Sequence, residues 1–173
     1  MTTEHPGGVT LKGNPLTIIG DKLTTGVKAP DFKLVANDLS TVTLADSAGK
    51  ARLVSVVPSL DTPVCDAQTR RFNQEAAKFG DNVVILTVSA EHPFNQKRWC
   101  GAAGIDKVQV VSDHMDMNFG ESYGTHVKEL RLEQRSIFVI DANDVIRYIE
   151  YVPEITEHPD YEAALAALKE VAG

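Results

Sequence analysis

Positive charge is scarce and scattered in this chain: 17 Lys and Arg stand against 24 Asp and Glu, a formal net charge of -7. No basic run exceeds a pair such as Arg70-Arg71, so nothing is arranged to neutralise a line of phosphates, and no nucleic-acid partner is expected. Long hydrophobic runs are missing too. No stretch approaches the roughly 18–20 apolar residues of a membrane span, and Met1 to Val9 lacks a basic segment followed by an apolar core. A cytoplasmic protein without membrane contact is expected. Cysteine is rarer still, with two residues, Cys65 and Cys100. In a reducing compartment two cysteines seldom form a permanent staple. They do not make a Cys-x-x-Cys pair, and with five scattered histidines no structural zinc or other metal is expected. What is present, 43% hydrophobic and 24% charged residues over 173 positions, suits one core and is short for two. Residues 1–173 are read as one domain.

Apolar patterning gives an α/β order. Val9-Thr10-Leu11 and Leu16 to Ile19, separated by Lys12-Gly13-Asn14-Pro15, form a small N-terminal β-hairpin at about 9–19. Short extended pieces follow at Pro30 to Val35 and Val42 to Leu44. Leu53 to Val57 is the first core strand, stopped by Pro58. A helix is expected from Pro63 to about Phe79, with Gly80 as its stop. The continuous β-branched run Val83 to Val88 is a strand buried on both faces, which makes a right-handed β-α-β unit. Pro93 opens a second helix carrying Trp99 and Cys100 and ending among Gly101 to Gly104. Val108 to Val111 is a strand, Met115 to Ser122 a short helix, Ser136–Ile140 and Val145–Tyr151 an antiparallel pair, and Pro159 to Val171 a closing helix. Strands alternating with helices, then a hairpin and a terminal helix, fit a thioredoxin-like fold: a central mixed sheet flanked by helices.

The most informative stretch is Pro58-Ser59-Leu60-Asp61-Thr62-Pro63-Val64-Cys65. Thr62 suits an N-cap and Pro63 the first helical position, so Cys65 falls at about the third, among N–H groups without intrahelical partners. That setting favours a thiolate nucleophile. By position alone Cys65 equally fits a small buried hydrophobe. Arg135, read alone, fits a surface arginine paired with Glu133 or Glu129. Asp113-His114-Met115-Asp116 is read as a solvated loop or helix start rather than a metal site. His92 and His158, each before a proline, read as turn residues, and His126 has no assigned role.

Pro58, Thr62 and Cys65 spell the Pro-x-x-x-Thr-x-x-Cys pattern of the peroxiredoxins. Together with Gly13-Asn14-Pro15, Pro30-Asp31-Phe32, Arg98-Trp99-Cys100-Gly101, and Arg135 followed by Phe138-Val139-Ile140-Asp141, the chain resembles, over nearly its full length, the bacterial thiol peroxidases, the atypical two-cysteine branch of that family. The resemblance implies a peroxidase that reduces hydrogen peroxide and organic hydroperoxides. Cys65 would be the peroxidatic cysteine, becoming a sulfenic acid, and Cys100 the resolving cysteine, closing an intramolecular disulfide. Arg135 and the Thr62 hydroxyl would contact the peroxide, and Pro58 would shield the sulfur. The resemblance also implies thioredoxin as reductant, a homodimer, and no metal, haem, flavin or selenium cofactor. Two other classes stay open on the residues alone: a cysteine hydrolase with a histidine base such as His126, and a redox-sensing or holdase protein.

Overall fold

The computed structural model describes residues 2–173. In chain order its strands are β1 (Glu4–Leu11), β2 (Asn14–Ile19), β3 (Leu34–Val35), β4 (Thr41–Val42), β5 (Ala51–Val56), β6 (Val83–Ser89), β7 (Gln109–Ser112), β8 (His126–Val127), β9 (Leu132–Glu133), β10 (Ser136–Ile140) and β11 (Ile146–Tyr151). Its helices are α1 (Pro63–Ala76), α2 (Pro93–Ala103), α3 (Asn118–Tyr123) and α4 (Tyr161–Ala172). A seven-stranded sheet runs β11-β10-β5-β6-β7-β3-β4. β5, β6 and β7 are parallel, while β10, β11, β3 and β4 add on antiparallel. The expected mixed thioredoxin-like sheet is present.

Side-chain alternation along β5 decides which layer lies where. Leu53 and Val57 face α1, α2 and α4, packing with Phe72, Cys65, Cys100 and Leu168. Val54 and Val56 face the opposite way, onto Phe119 and Tyr123 of α3 and Leu44 of a short 3₁₀ turn. Phe119 and Tyr123 stack with centroids 4.2 Å apart, and both meet Phe138 edge-on. α1 and α2 connect parallel neighbours from the same side of the sheet, as right-handed crossovers require. Both therefore begin at the carboxyl ends of β5 and β6, where α/β sheets hold reactive groups.

Several expected boundaries shift. α1 stops at Ala76 rather than Phe79, because Lys78 and Phe79 donate to Glu75 and Ala76, three residues back, so the last turn tightens out of the α pattern. The hairpin is longer than expected, turning on Lys12-Gly13 alone with Asn14 paired to Leu11. It is also not isolated. β8, which no apolar run announced, pairs with β2, and β9, equally unannounced, with β8, to make a second sheet of four strands, β1-β2-β8-β9. α3 begins at Asn118, three residues later than the expected Met115, after Met117 takes a left-handed conformation.

Asp113 corrects the reading of its segment as solvated. It is fully buried, and its carboxyl accepts the N–H groups of Phe119 (3.1 Å) and Gly120 (2.8 Å) at the start of α3. Glu133, fully buried on β9, accepts the Thr125 hydroxyl at 2.5 Å and packs against the same Gly120. A Cβ on Gly120 would lie 2.8 Å from the Glu133 carboxyl, so this position has room only for glycine. Burial first, and the neighbouring Asp113 second, push the Glu133 carboxyl well above the usual carboxylate range. Two buried carboxyls without an ion-pair partner cannot both ionise, so the pair holds a proton, placed on Glu133.

That proton sets a sign. The unfolded chain releases it above pH ~4.3 while the fold keeps it, so this pair's contribution is complete at low pH and is lost as pH rises toward the raised folded value. Glu133→Gln should gain stability relative to the wild type as pH increases from 5 to 8, by up to about 1.4 kcal/mol per pH unit. Urea unfolding at both pH values measures the gap, and identical pH dependence in the two proteins would mean no proton is shared.

Candidate active site

The peroxide-type octet lies where β5 leaves the sheet. Val57 makes the last contact, its N–H donating to Val88 O at 2.9 Å, and the buried Pro58 follows. The chain then turns: the Thr62 N–H donates to Ser59 O at 3.3 Å, and the Leu60 N–H donates to Glu91 Oε1 at 2.7 Å. Thr62 is the N-cap of α1 by backbone conformation, with Pro63 at the first helical position. Its hydroxyl does not cap, however. It donates to Ser59 O at 3.0 Å and makes no bond to the helix N–H groups, because the preceding turn brings a carbonyl closer. Cys65 is the third helical residue and is fully buried. Its carbonyl accepts the Thr69 hydroxyl at 2.9 Å.

Arg135 settles its own alternatives by burial. It is 1% exposed, far from a surface ion pair. Nη2 donates to Cys65 Sγ at 3.3 Å and to Ile155 O at 2.8 Å, and Nη1 donates to Gln68 Oε1 at 2.9 Å. Glu129 and Glu133 are engaged elsewhere, with the Thr17 N–H and the Thr125 hydroxyl. A guanidinium stays charged in any setting, and in a site without water its attraction for an anionic sulfur exceeds that at a surface. Arg135 and Cys65 are 70 residues apart in sequence and meet only because β10 lies beside β5 in the sheet.

Gln68 is a site residue that the sequence reading passed over. It is fully buried, takes Arg135 on Oε1 and donates from Nε2 to Ser55 Oγ at 2.7 Å. A signal existed: Gln68 interrupts the apolar Cys65/Phe72 face of α1, and Ser55 interrupts the apolar run of β5. Two polar residues on facing apolar surfaces need each other, since an unpaired buried amide costs about 1–3 kcal/mol.

Beside the first turn of α1 lies a cavity of about 420 Å³ with mostly apolar walls, which Arg135 reaches while Cys65 itself stays buried behind it. Thr62, Pro63 and Val64 of the octet and α1, Arg135, Leu11 and Lys12 of the hairpin turn, and Ile155 and Thr156 line it. The N-terminal hairpin thus supplies part of the wall. No histidine ring hydrogen-bonds Cys65 among the described residues, and His126 lies 3.6 Å from Glu121 instead, so the hydrolase constellation is not assembled. Cys100, on α2, is 9% exposed and packs in the same apolar cluster as Cys65. Burial pushes its thiol up from the ordinary range. Both thiols are free.

The Redoxin family model matches residues 24–165. The chain is 58% identical over 161 residues to the thiol peroxidase of Halalkalibacterium halodurans, covering 93% of this chain and 96% of that one. It belongs to the bacterial thiol peroxidases of the redoxin family. The Bacillus subtilis thiol peroxidase is 55% identical with the same coverage. A peroxiredoxin-like protein from Aquifex aeolicus has a similar structure, with a TM-score of 0.88 at 36% identity over 96% of this chain and 99% of that one. The activity of this family member is that of a thiol-based peroxidase, and no helix among the described residues is long and apolar enough to cross a membrane.

Removing the guanidinium takes away a fixed charge and leaves Gln68 Oε1 and Ile155 O without their donor. Arg135→Ala should slow peroxide consumption by about 10²–10³, the loss seen when a preorganised donor is deleted from a buried site. Arg135→Lys should recover part of it, because one ammonium cannot serve Sγ, Gln68 and Ile155 together. Stopped-flow oxidation of the two variants tests this, and a rate for the alanine variant equal to wild type would leave Arg135 a structural role only.

Proposed function

We propose that Cys65 is the peroxidatic and Cys100 the resolving cysteine of a thioredoxin-dependent hydroperoxide reductase. The observation that carries this reading is the 3.3 Å contact from Arg135 Nη2 to Cys65 Sγ at the start of a helix. The thiolate sulfur attacks the nearer peroxide oxygen of ROOH; the O–O bond breaks, an S–O bond forms, and the departing alkoxide takes a proton as water or alcohol. The Arg135 guanidinium sets a fixed positive charge beside the reacting sulfur. That charge is only part of the work. The Thr62 hydroxyl, on the cavity wall and turning its proton from Ser59 O to the substrate, and the Cys65 N–H, unpaired by its helical position, would steady charge on the departing oxygen, while Pro58 keeps water from the sulfur.

Cys100 would then attack the sulfenic sulfur, expelling water and closing the Cys65–Cys100 disulfide, and thioredoxin would return both to thiols with two electrons. The fold as it stands holds Cys65 against Arg135 in an intact first turn. Forming the disulfide needs Cα atoms within about 4.4–6.8 Å and takes Sγ away from the guanidinium, so the start of α1, or α2, must open. The chain works in the cytoplasm as a homodimer in this reading. Supporting the dimer is an exposed patch in which Phe94 (61% exposed) and Met115 (72%) lie by the rings of His92 and His114, whose centroids are 4.8 Å apart.

Intact mass after one equivalent of peroxide tests the scheme. Wild type should lose two hydrogens, Cys100→Ser should gain one oxygen on Cys65 and cease to turn over with thioredoxin, and Cys65→Ser should be inert. Turnover by Cys65→Ser, or normal cycling by Cys100→Ser, would overturn the assignments.

A further inference from the structure

A continuous series of polar contacts joins the two cysteine-bearing segments, and apart from Thr62 at its end none of it is used by the chemistry above. Gln96 is fully buried on α2, one helical turn before Cys100, and donates from Nε2 to Ser89 Oγ and to Val111 O, both at 2.9 Å. Ser89, the last residue of β6, donates its hydroxyl to Glu91 Oε1 at 3.0 Å. The same oxygen accepts the Leu60 N–H at 2.7 Å, and Oε2 accepts the Ser59 hydroxyl at 3.2 Å. Ser59 O then receives both the N–H (3.3 Å) and the hydroxyl (3.0 Å) of Thr62, the N-cap of the Cys65 helix. Glu91 also adjoins His92, the N-cap of α2, and its carbonyl accepts the Ser112 hydroxyl. One carboxylate therefore fastens the turn ahead of Cys65 and connects it, through a single serine, to the helix of Cys100.

We infer that Glu91 is a positioning residue that sets how Cys65 divides its time between attack on peroxide, which needs this turn held, and disulfide formation with Cys100, which needs it released. The inference rests on the cysteine assignments proposed above. Two reactions compete for the sulfenic acid. In one, Cys65–SOH and Cys100–SH give the disulfide and water; in the other, Cys65–SOH and a second ROOH give Cys65–SO₂H and ROH. Only the first requires opening. Bonds present in the held form and broken on opening favour the held form, and those to a carboxylate are the stronger kind. Glu91 thus slows resolution while keeping the sulfur in line for the first attack.

The test separates two rates in the whole protein. Reduced enzyme is mixed with hydrogen peroxide and followed through Trp99, the single tryptophan, which neighbours Cys100. Acid-quenched samples weighed intact then count sulfenic, disulfide and sulfinic forms. Glu91→Ala should raise the ratio of disulfide-forming to oxidation rate by about tenfold, the worth of one hydrogen bond to a charged group. Less sulfinic acid should accumulate at high peroxide. Glu91→Gln, which still accepts from Leu60 but without the charge, should fall between wild type and Glu91→Ala. Ser59→Ala, a milder change should Glu91→Ala not fold, should move the ratio the same way by about threefold. Asp160→Ala, which removes the distant α4 cap bond to the Ala163 N–H, should lower the melting temperature without moving the ratio. An unchanged ratio in both Glu91→Ala and Ser59→Ala, or the same change in Asp160→Ala, would overturn the inference. A wild type that forms no Cys65–Cys100 disulfide would instead overturn the cysteine assignment, and the inference with it.

Discussion

A guanidinium buried in an apolar core must find acceptors on every side, and around Arg135 that requirement ties together four parts of the chain. Its N–H groups reach Cys65 and Gln68 on α1 and the carbonyl of Ile155, while Gln68 reaches back to Ser55 on β5. The Ile155 carbonyl is itself held in place. The Ile155 N–H donates to Thr10 O at 2.9 Å, and the neighbouring Glu154 accepts from Thr10, Gly13 and Thr156. The Thr156 and Gly13 N–H groups hold the Glu154 carboxyl down to about 2, so this brace is ionised across the physiological range. The N-terminal hairpin is in this way a support for the arginine as well as a wall of the cavity.

Arg52 meets a different set of acceptors. It too is fully buried, but its donors meet Ser47 Oγ, Leu44 O and Asp141 O, and Nη2 pairs with the Asp144 carboxylate at 2.7 Å, so every partner is an oxygen. It locks the 3₁₀ turn to the β10–β11 hairpin. Arg135 satisfies the same demand with one sulfur among its acceptors, and that sulfur is at a helix start. Since a buried charge without partners costs several kcal/mol, both arginines are strongly committed to their surroundings. The difference lies in the acceptor, not in the degree of burial.

The same economy shapes the ends of the segments that carry cysteines. α1 starts from a turn held by Glu91, α2 from the His92 cap, and α2 stops at Gly104 in a left-handed conformation that glycine adopts without strain. Asn73 on α1 accepts the N–H groups of Lys107 and Val108 after α2, at 2.7 and 3.2 Å, joining the two helices at their far ends. The scheme proposed above, with a rigid sulfur and a later rearrangement, would be served by polar contacts of this kind, which are specific in geometry. The apolar cluster shared by Cys65 and Cys100 meanwhile keeps the two thiols in one compartment of the core.

Local pattern was enough for the α/β order, because strand and helix periodicity, Pro63 and Pro93 at helix starts, and Gly104 at a helix stop act over a few residues. The position of Cys65 in the first turn of α1 was legible for the same reason. So was the family resemblance, carried by short blocks in fixed order. The short pairs β8 and β9 were not legible: two-residue strands have no periodicity, and their pairing with the hairpin depends on partners more than a hundred residues away. Glu133 read as a surface partner of Arg135, and Asp113 as part of a solvated loop or helix start, since nothing in a sequence tells a buried carboxyl from an exposed one until its neighbours are placed. For Arg135 the residues alone favoured a surface pair, and the resemblance favoured the site; burial and the distance to Cys65 were decided only by the sheet order that sets β10 beside β5. Residue type and local order thus determined which groups could react, while long-range strand pairing determined which of them meet in the absence of water, where a charge and a sulfur act on each other most strongly.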